Sequence, residues 1–289
     1  MAQALVVGLV TGGIYGLYAL GLVLIYKGSG VLNFAQAELG TFTLFVCQVL
    51  VTEHGQPYLV GAAAAVALAV GMGLVFERLA VWPLRAAPRI TVAVATIALL
   101  SLLIALELTV FGILPRQLAP AMHGAGWRVF DVIVTPTQVL SLVFVVVIGL
   151  GLAGFLRFTD FGLAVVAASQ DQEAVRFLGI RLARVSLFTW GVAAALSASA
   201  ALLIQPTVGV VSPSAFGGIF IKALGAALIG GLSSMPGAFA GGLVVGVAEA
   251  EIRHLTLNSS LVGLPELVIF AAVVATLMFR PQGVFAGRA

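Results

Sequence analysis

Four polar side chains stand in stretches otherwise too apolar to accommodate them. Asn33, Gln36 and Glu38 follow one another in the segment from Tyr26 to Gly40, directly after a long apolar run. Lys222 sits a few residues into another apolar run. An amide offers donors and acceptors together, which suits hydrogen bonding to a small polar solute. A carboxylate or an ammonium group in an apolar layer needs a partner or a water-filled lumen. Two readings of Asn33–Glu38 stay open. One is a broken helix lining a translocation path, with Asn33, Phe34, Gln36 and Glu38 at the break, because non-helical backbone at membrane depth must line a cavity or be buried in protein. The other is a short amphipathic segment lying on the inner surface.

A second group of residues suggests attachment rather than catalysis. Residues 156–184 form the longest connection on the side that carries most of the basic residues. Thr159 or Asp160 can cap a helix there and Gly179 can end it. Glu173 and Arg176 stand one turn apart and can pair. The small residues Gly162, Ala164, Ala167, Ala168 and Ala174 leave a low face that a groove on a partner protein could receive. A solvated loop helix without a partner is the other reading. Asp171, Glu173, Ala174 and Arg176 are its polar and small candidates for contact.

Other chemistries lack their residues. No Gly-x-x-x-x-Gly-Lys-[Ser/Thr] occurs, so the chain has no P-loop for ATP. His54, His123 and His254 lack metal-ligand spacing, and no Ser/His/Asp or Cys/His set converges. The single cysteine, Cys47, cannot close an internal disulfide. No catalytic group and no metal site is expected, and no cofactor bound by the chain itself.

The elements that carry these residues follow from composition. Of 289 residues, 61% are hydrophobic and 9% charged, against about 25% charged in a soluble domain. The surface must therefore face lipid, and the fold is expected to be all-α and polytopic. Runs near Ala4–Tyr26, Leu59–Leu79, Thr91–Phe111, Thr137–Phe155, Val185–Ile204 and Leu261–Phe279 each approach the ~20 residues of a span. The first run is too long for a cleaved signal peptide and lacks a basic start. Leu32–Thr52 reads as a half-helix leading into a span. Gly217–Glu249, broken at Ser233–Gly237, reads as two short helices. Eight or nine crossings result, in a single domain over residues 1–289.

Charge gives the orientation. With 156–184 in the cytoplasm, Lys27, Arg78, Arg85, Arg89, Arg157, Arg176, Arg181, Arg184, Arg280 and Arg288 fall inside. Arg116, Arg128 and Arg253 fall outside. Glu77, Arg78 and Glu107, near span ends, are expected to snorkel to water, and Glu249 and Glu251 to be external. The largest outer piece, Gly112–Pro136, is too small for a receptor domain. Basic residues form no run, so nucleic-acid binding is not indicated. Glycines at four-residue spacing (Gly8, Gly12 and Gly16; Gly237 and Gly241; Gly242 and Gly246) predict close helix–helix packing.

These blocks occur in one order that resembles the permease subunits of bacterial branched-chain amino-acid ABC transporters, the LivH type. Gly13-Ile14-Tyr15-Gly16-Leu17-Tyr18-Ala19-Leu20-Gly21-Leu22 looks like that family's opening. Val31-Leu32-Asn33-Phe34-Ala35-Gln36-Ala37-Glu38 looks like its Asn-Phe-Ala-His-Gly-Glu signature, with Gln36 and Ala37 in place of His and Gly. Asp171-Gln172-Glu173-Ala174 through Leu178-Gly179-Ile180 resembles its ATPase-contacting loop, with Leu163 and Val166 where arginines are usual. Lys222-Ala223, Gly230–Ala238 and Arg280–Phe285 resemble its later blocks. The resemblance implies an importer subunit in the bacterial inner membrane, working by alternating access. It implies a second related permease chain, two cytoplasmic ATPases that bind the ATP, and an extracytoplasmic solute-binding protein. Branched-chain amino acids or similar small polar solutes are the implied cargo. A stand-alone channel or secondary carrier for an amide or amino acid is the alternative.

Overall fold

The computed structural model describes residues 1–122, 126–129, 132–256, 263–280 and 282–285. His123, Gly124, Leu261, Pro281 and Arg288 lie outside them. Among the described residues the fold is helical: α1 Ala2–Ser29, α2 Gln36–Gln48, α3 Tyr58–Phe76, α4 Arg89–Val110, α5 Pro136–Phe158, α6 Asp160–Gln170, α7 Gln172–Phe177, α8 Leu182–Val208, α9 Gly217–Gly230, α10 Met235–Leu255 and α11 Leu264–Phe279. One small antiparallel ribbon, β1 Trp127–Val129 with β2 Val132–Val134, pairs Trp127 with Val134 in the piece before α5.

Among the described residues, six helices are long and apolar enough to cross a membrane: α1, α3 with its π-helical extension to Val81, α4, α5, α8 and α10. The half-helix expected after Leu32 is α2, and a π-helical turn, Val49–Glu53, carries it on. The shorter apolar helices α9 and α11 complete the set. Gly217–Glu249 divides into two helices at the expected break, α9 ending at Gly230 and α10 starting at Met235; only α10 is longer than expected, 21 residues to Leu255. Pro236 lies in its first turn, where the missing N–H costs nothing. Ser234 caps that turn, its Oγ accepting from Gly237 N at 3.1 Å. The proline thus belongs to the first turn of the helix that follows the break.

The described contacts group into two compact units. The first unit comprises residues 1–20, 120–150 and 221–289, and the second comprises 21–119 and 151–220. In the first unit, α1 meets α10 through the spaced glycines. A Cβ on Gly12 would stand 2.9 Å from Gly242 O and from Leu243 Cα, and one on Gly8 would stand 2.8 Å from Val247 Cα. A Cβ on Gly242 or Gly246 would run into the backbone of Gly16 or Gly12. The four-residue spacing therefore does what it predicted and lets two backbones touch. In the second unit, α2, α3 and α8 pack on one another. Their shared core holds Ala35, Leu39, Ala69, Ala194 and Ala198, with Leu103 of α4.

The connection from α5 to α8 also differs from expectation. Instead of one helix it forms two, broken at Asp171, whose backbone is extended (φ −148°, ψ 105°). Thr159 caps α6, with Oγ accepting from Gly162 N at 3.0 Å. Asp171 Oδ1 caps α7, accepting from Glu173 N at 2.8 Å and Ala174 N at 3.0 Å. An aspartate that satisfies the next helix's first N–H groups has stopped the previous one. Gly179, at φ +79°, turns the chain after α7.

Candidate functional site

Within the second unit, the break between α1 and α2 is held by side chains from three elements. Asn33 is fully buried and folds the break on itself. Its Oδ1 accepts from Ala35 N at 3.0 Å, and its Nδ2 donates to Gln36 Oε1 at 3.2 Å. Gln36, also fully buried, donates through Nε2 to Ala193 O of α8 at 2.8 Å. Ser197 Oγ of α8 donates to Gln36 O. Thr96 of α4 accepts from Phe34 N at 3.2 Å and lies against Leu32 O at 3.3 Å. Each backbone group named here, freed where helix geometry stops, has a partner, as a non-aqueous surrounding requires. Gly21 of α1 lets Gln36 in, since a Cβ there would meet Gln36 Nε2. Phe34 is half-buried beside Phe220, ring centroids 6.1 Å apart.

The amphipathic-surface alternative fails for this segment, because Asn33, Gln36 and Glu38 are 0%, 0% and 1% exposed. Gln36→Leu would leave the Asn33 amide without its acceptor. A loss of about 1–3 kcal/mol is expected for such an orphaned group, seen as a lower thermal unfolding temperature of the purified chain. Gln36→Leu unfolding with the unchanged chain would show that the amide network adds nothing.

Glu38 has a neighbour that the sequence did not reveal. Glu107 of α4 is fully buried against it, contrary to the snorkelling expected of a carboxylate near a helix end. Two carboxylates are both acceptors, so only a proton on one of them makes a bond between them. Among the described residues, both Glu107 oxygens and Glu38 Oε2 lack a donor within strict hydrogen-bonding geometry, although the Ser214 backbone N–H lies near Glu107. Glu77 is likewise buried, against Ser186 of α8, rather than reaching for water.

Lys222 belongs to the first unit, where it has the acidic partner its position demands. Its Nζ lies 2.6 Å from Glu249 Oε1 of α10 and 3.4 Å from Glu266 of α11. Arg253, one turn beyond Glu249, reaches the same Oε1 at 2.7 Å, and Tyr15 of α1 donates to Oε2 at 2.8 Å. Glu249, expected as an external residue, is 6% exposed and stands at the centre of this cluster. Tyr15, Glu249, Arg253 and Glu266 were not singled out for Lys222 from the sequence. Glu249 and Arg253 at i and i+4 were the available signal.

In the connecting loop the structure turns Gly162 and Ala168 inward, as part of the packing of α6. Asp171, Glu173, Ala174, Arg176 and Gly179 are exposed. Glu173 and Arg176 form no ion pair with each other among the described residues. Phe177 and Leu178, apolar and at the tip, are 91% and 76% exposed.

A helical bundle with a discontinuous helix at a buried polar site, and an exposed loop helix between two spans, defines a polytopic membrane permease. The chain belongs to the family described as branched-chain amino acid transport system permease components, which matches residues 4–279. It is similar to the high-affinity branched-chain amino acid transport system permease protein BraD of Pseudomonas aeruginosa, 30% identical over 98% of this chain and 94% of that one. It is also similar to the corresponding permease protein LivH of Escherichia coli K12, 28% identical over 96% and 92%. Among solved structures, PsaBC from Streptococcus pneumoniae in complex with Fab shares the fold. Its TM-score is 0.51 at 12% identity, over 97% of this chain and 92% of that one.

Proposed function

We propose that this chain is the path-forming subunit of an ATP-driven importer for branched-chain amino acids or similar small polar solutes, in a bacterial inner membrane. The observation that carries this is the loop between α5 and α8. The capped helix α7 and Leu178 just after it present Glu173, Arg176, Phe177 and Leu178 outward, and an apolar tip left in water suits a groove on another protein. The chain has no P-loop, so ATP is bound and hydrolysed on two partner ATPases. A second permease chain, homologous or identical, completes the path across the bilayer. An extracytoplasmic binding protein delivers the solute, in keeping with the short outer segments. Residues 1–289 act as one permease domain with residues 156–184 as its docking loop.

Asn33, Gln36 and Glu38 hold the break in shape beside the path, and Phe34 is the member of that segment with surface left to meet solute. Lys222 contributes charge to the path from its acidic cluster. Glu173→Lys combined with Phe177→Asp is expected to abolish ATPase co-purification and to lower solute uptake at least about tenfold, equivalent to ~1.4 kcal/mol of lost coupling. The thermal stability of the chain itself should hold, since both side chains are exposed. Uptake and co-purification at the original level would overturn the docking role. Solute flux into vesicles containing this chain alone, without ATP, would favour a stand-alone carrier.

A further inference from the structure

At one end of the second unit, three arginines share a cavity. Arg85, Arg89 and Arg176 line a volume of about 170 Å³, with Ser29, Trp82 and Ser186 among its other walls. These residues come from the end of α1, the end of the π-helical extension of α3, the start of α4, and the α7–α8 region. The cavity therefore lies where four membrane-crossing helices end, at the level of the lipid headgroups. No carboxylate lines it, and among the described residues none of the three guanidinium groups has an ion-pair partner. Arg85 is stacked on the Trp82 ring, 3.9 Å from its centroid. A tryptophan at this depth is a usual interfacial anchor.

Two further features give the cavity its sign and its neighbourhood. The first turns of α4 and α8 carry no side-chain cap, so the positive ends of two helix dipoles add to the arginines. The adjoining cavity, which shares Arg89, has Lys27 together with Asp171 and Glu173. Asp171 caps α7, and its charge and that of Glu173 fall in the adjoining cavity, not in the lining of this one. Leu79 and Ile90, adjacent in sequence to the lining, are 74% and 73% exposed. Apolar side chains beside an arginine-lined cavity suit a ligand with a phosphate at one end and hydrocarbon at the other.

We propose that this cavity binds the phosphate of an anionic phospholipid headgroup, with the acyl chains lying outside over Leu79 and Ile90. Guanidinium forks match phosphate oxygens in pairs, and basic pockets between membrane helices take anionic lipids on these grounds. The solute does not enter this assignment, and Arg85 and Arg89 lie outside the docking loop; Arg176 is shared with that loop, so the ATPase is followed beside the lipid in the test.

The test is native mass spectrometry of the full purified chain titrated with phosphatidylglycerol, with phosphatidylcholine as the zwitterionic control. Phosphatidylglycerol should bind in preference. Arg85→Gln alone should weaken that binding about five-fold, the usual worth of one basic side chain at an anionic surface. Arg85→Gln, Arg89→Gln and Arg176→Gln together should weaken it by about a hundred-fold on the same scale. Arg280→Gln, remote in sequence from the cavity, should leave it unchanged. Competition by inorganic phosphate at millimolar concentration, with no preference for the lipid, would identify a free anion as the ligand and overturn the lipid assignment. Undiminished lipid binding in Arg85→Gln and in the triple variant would overturn the site. So would a triple variant that keeps the lipid and loses its ATPase, since the arginines would then be reading a protein surface.

Discussion

Glu249→Leu is expected to be the most damaging single change to a charged residue in this protein. Glu249 accepts from Lys222, Arg253 and Tyr15 at 2.6, 2.7 and 2.8 Å. Without it, the one acidic partner left to Lys222 among the described residues is Glu266, at 3.4 Å and half exposed. Removing one partner of a buried pair costs about 3–5 kcal/mol, because the remaining charge is stranded. Arg253 suffers less, since its side chain is 61% exposed and water can take over. The measurement is thermal unfolding of the purified chain in detergent. The double variant Lys222→Met/Glu249→Leu removes both charges and should recover most of the loss, as apolar replacements of whole buried pairs often do. A double variant as unstable as Glu249→Leu would mean that Glu249 matters through Tyr15 and Arg253, and that Lys222 is solvated.

The second large effect is steric. Gly246→Leu would push a side chain into the backbone of Gly12, where α1 and α10 touch. Backbone cannot rotate aside as a flexible side chain does, so overpacking here should reach about 3 kcal/mol. Gly151→Leu in α5, where a Cβ would meet nothing within 4 Å, should stay within about 0.5 kcal/mol. Yield of folded, monodisperse protein and its unfolding temperature report both. Equal behaviour of the two variants would mean that the α1–α10 contact does not form.

The spans were legible because run length is a strong signal when lipid is the solvent. The spaced glycines were legible too, since i, i+4 places them on one face whatever the partner. Local punctuation was legible only in part. The break before Pro236 was read, and its cap, Ser234, marks the proline as a first-turn residue of a helix longer than expected. Asp171 reads as an exposed charge on a continuous helix, yet its carboxylate serves the N–H groups that follow it. Burial of carboxylates failed for another reason. Glu107 looks like a snorkelling end residue because its neighbour, Glu38, lies far away in sequence, and like charges carry no pairing pattern. Lys222 announced its need for an acid but not which one. Asn33 and Gln36 were legible as residues out of place. Their partners, the Ala193 carbonyl and the Ser197 hydroxyl, were invisible because a backbone carbonyl has no sequence signature.

The glycine contact between α1 and α10 also has a genetic side. Every one-base change at a glycine codon that alters the residue without stopping translation yields Ala, Val, Ser, Cys, Asp, Glu, Arg or Trp, and each adds at least a Cβ. At Gly8, Gly12, Gly242 and Gly246 that atom would land within 3 Å of another backbone. These four codons thus have no conservative neighbour one step away. Drift, which elsewhere can trade one aliphatic residue for another through nearly neutral intermediates, has no such first step along this seam.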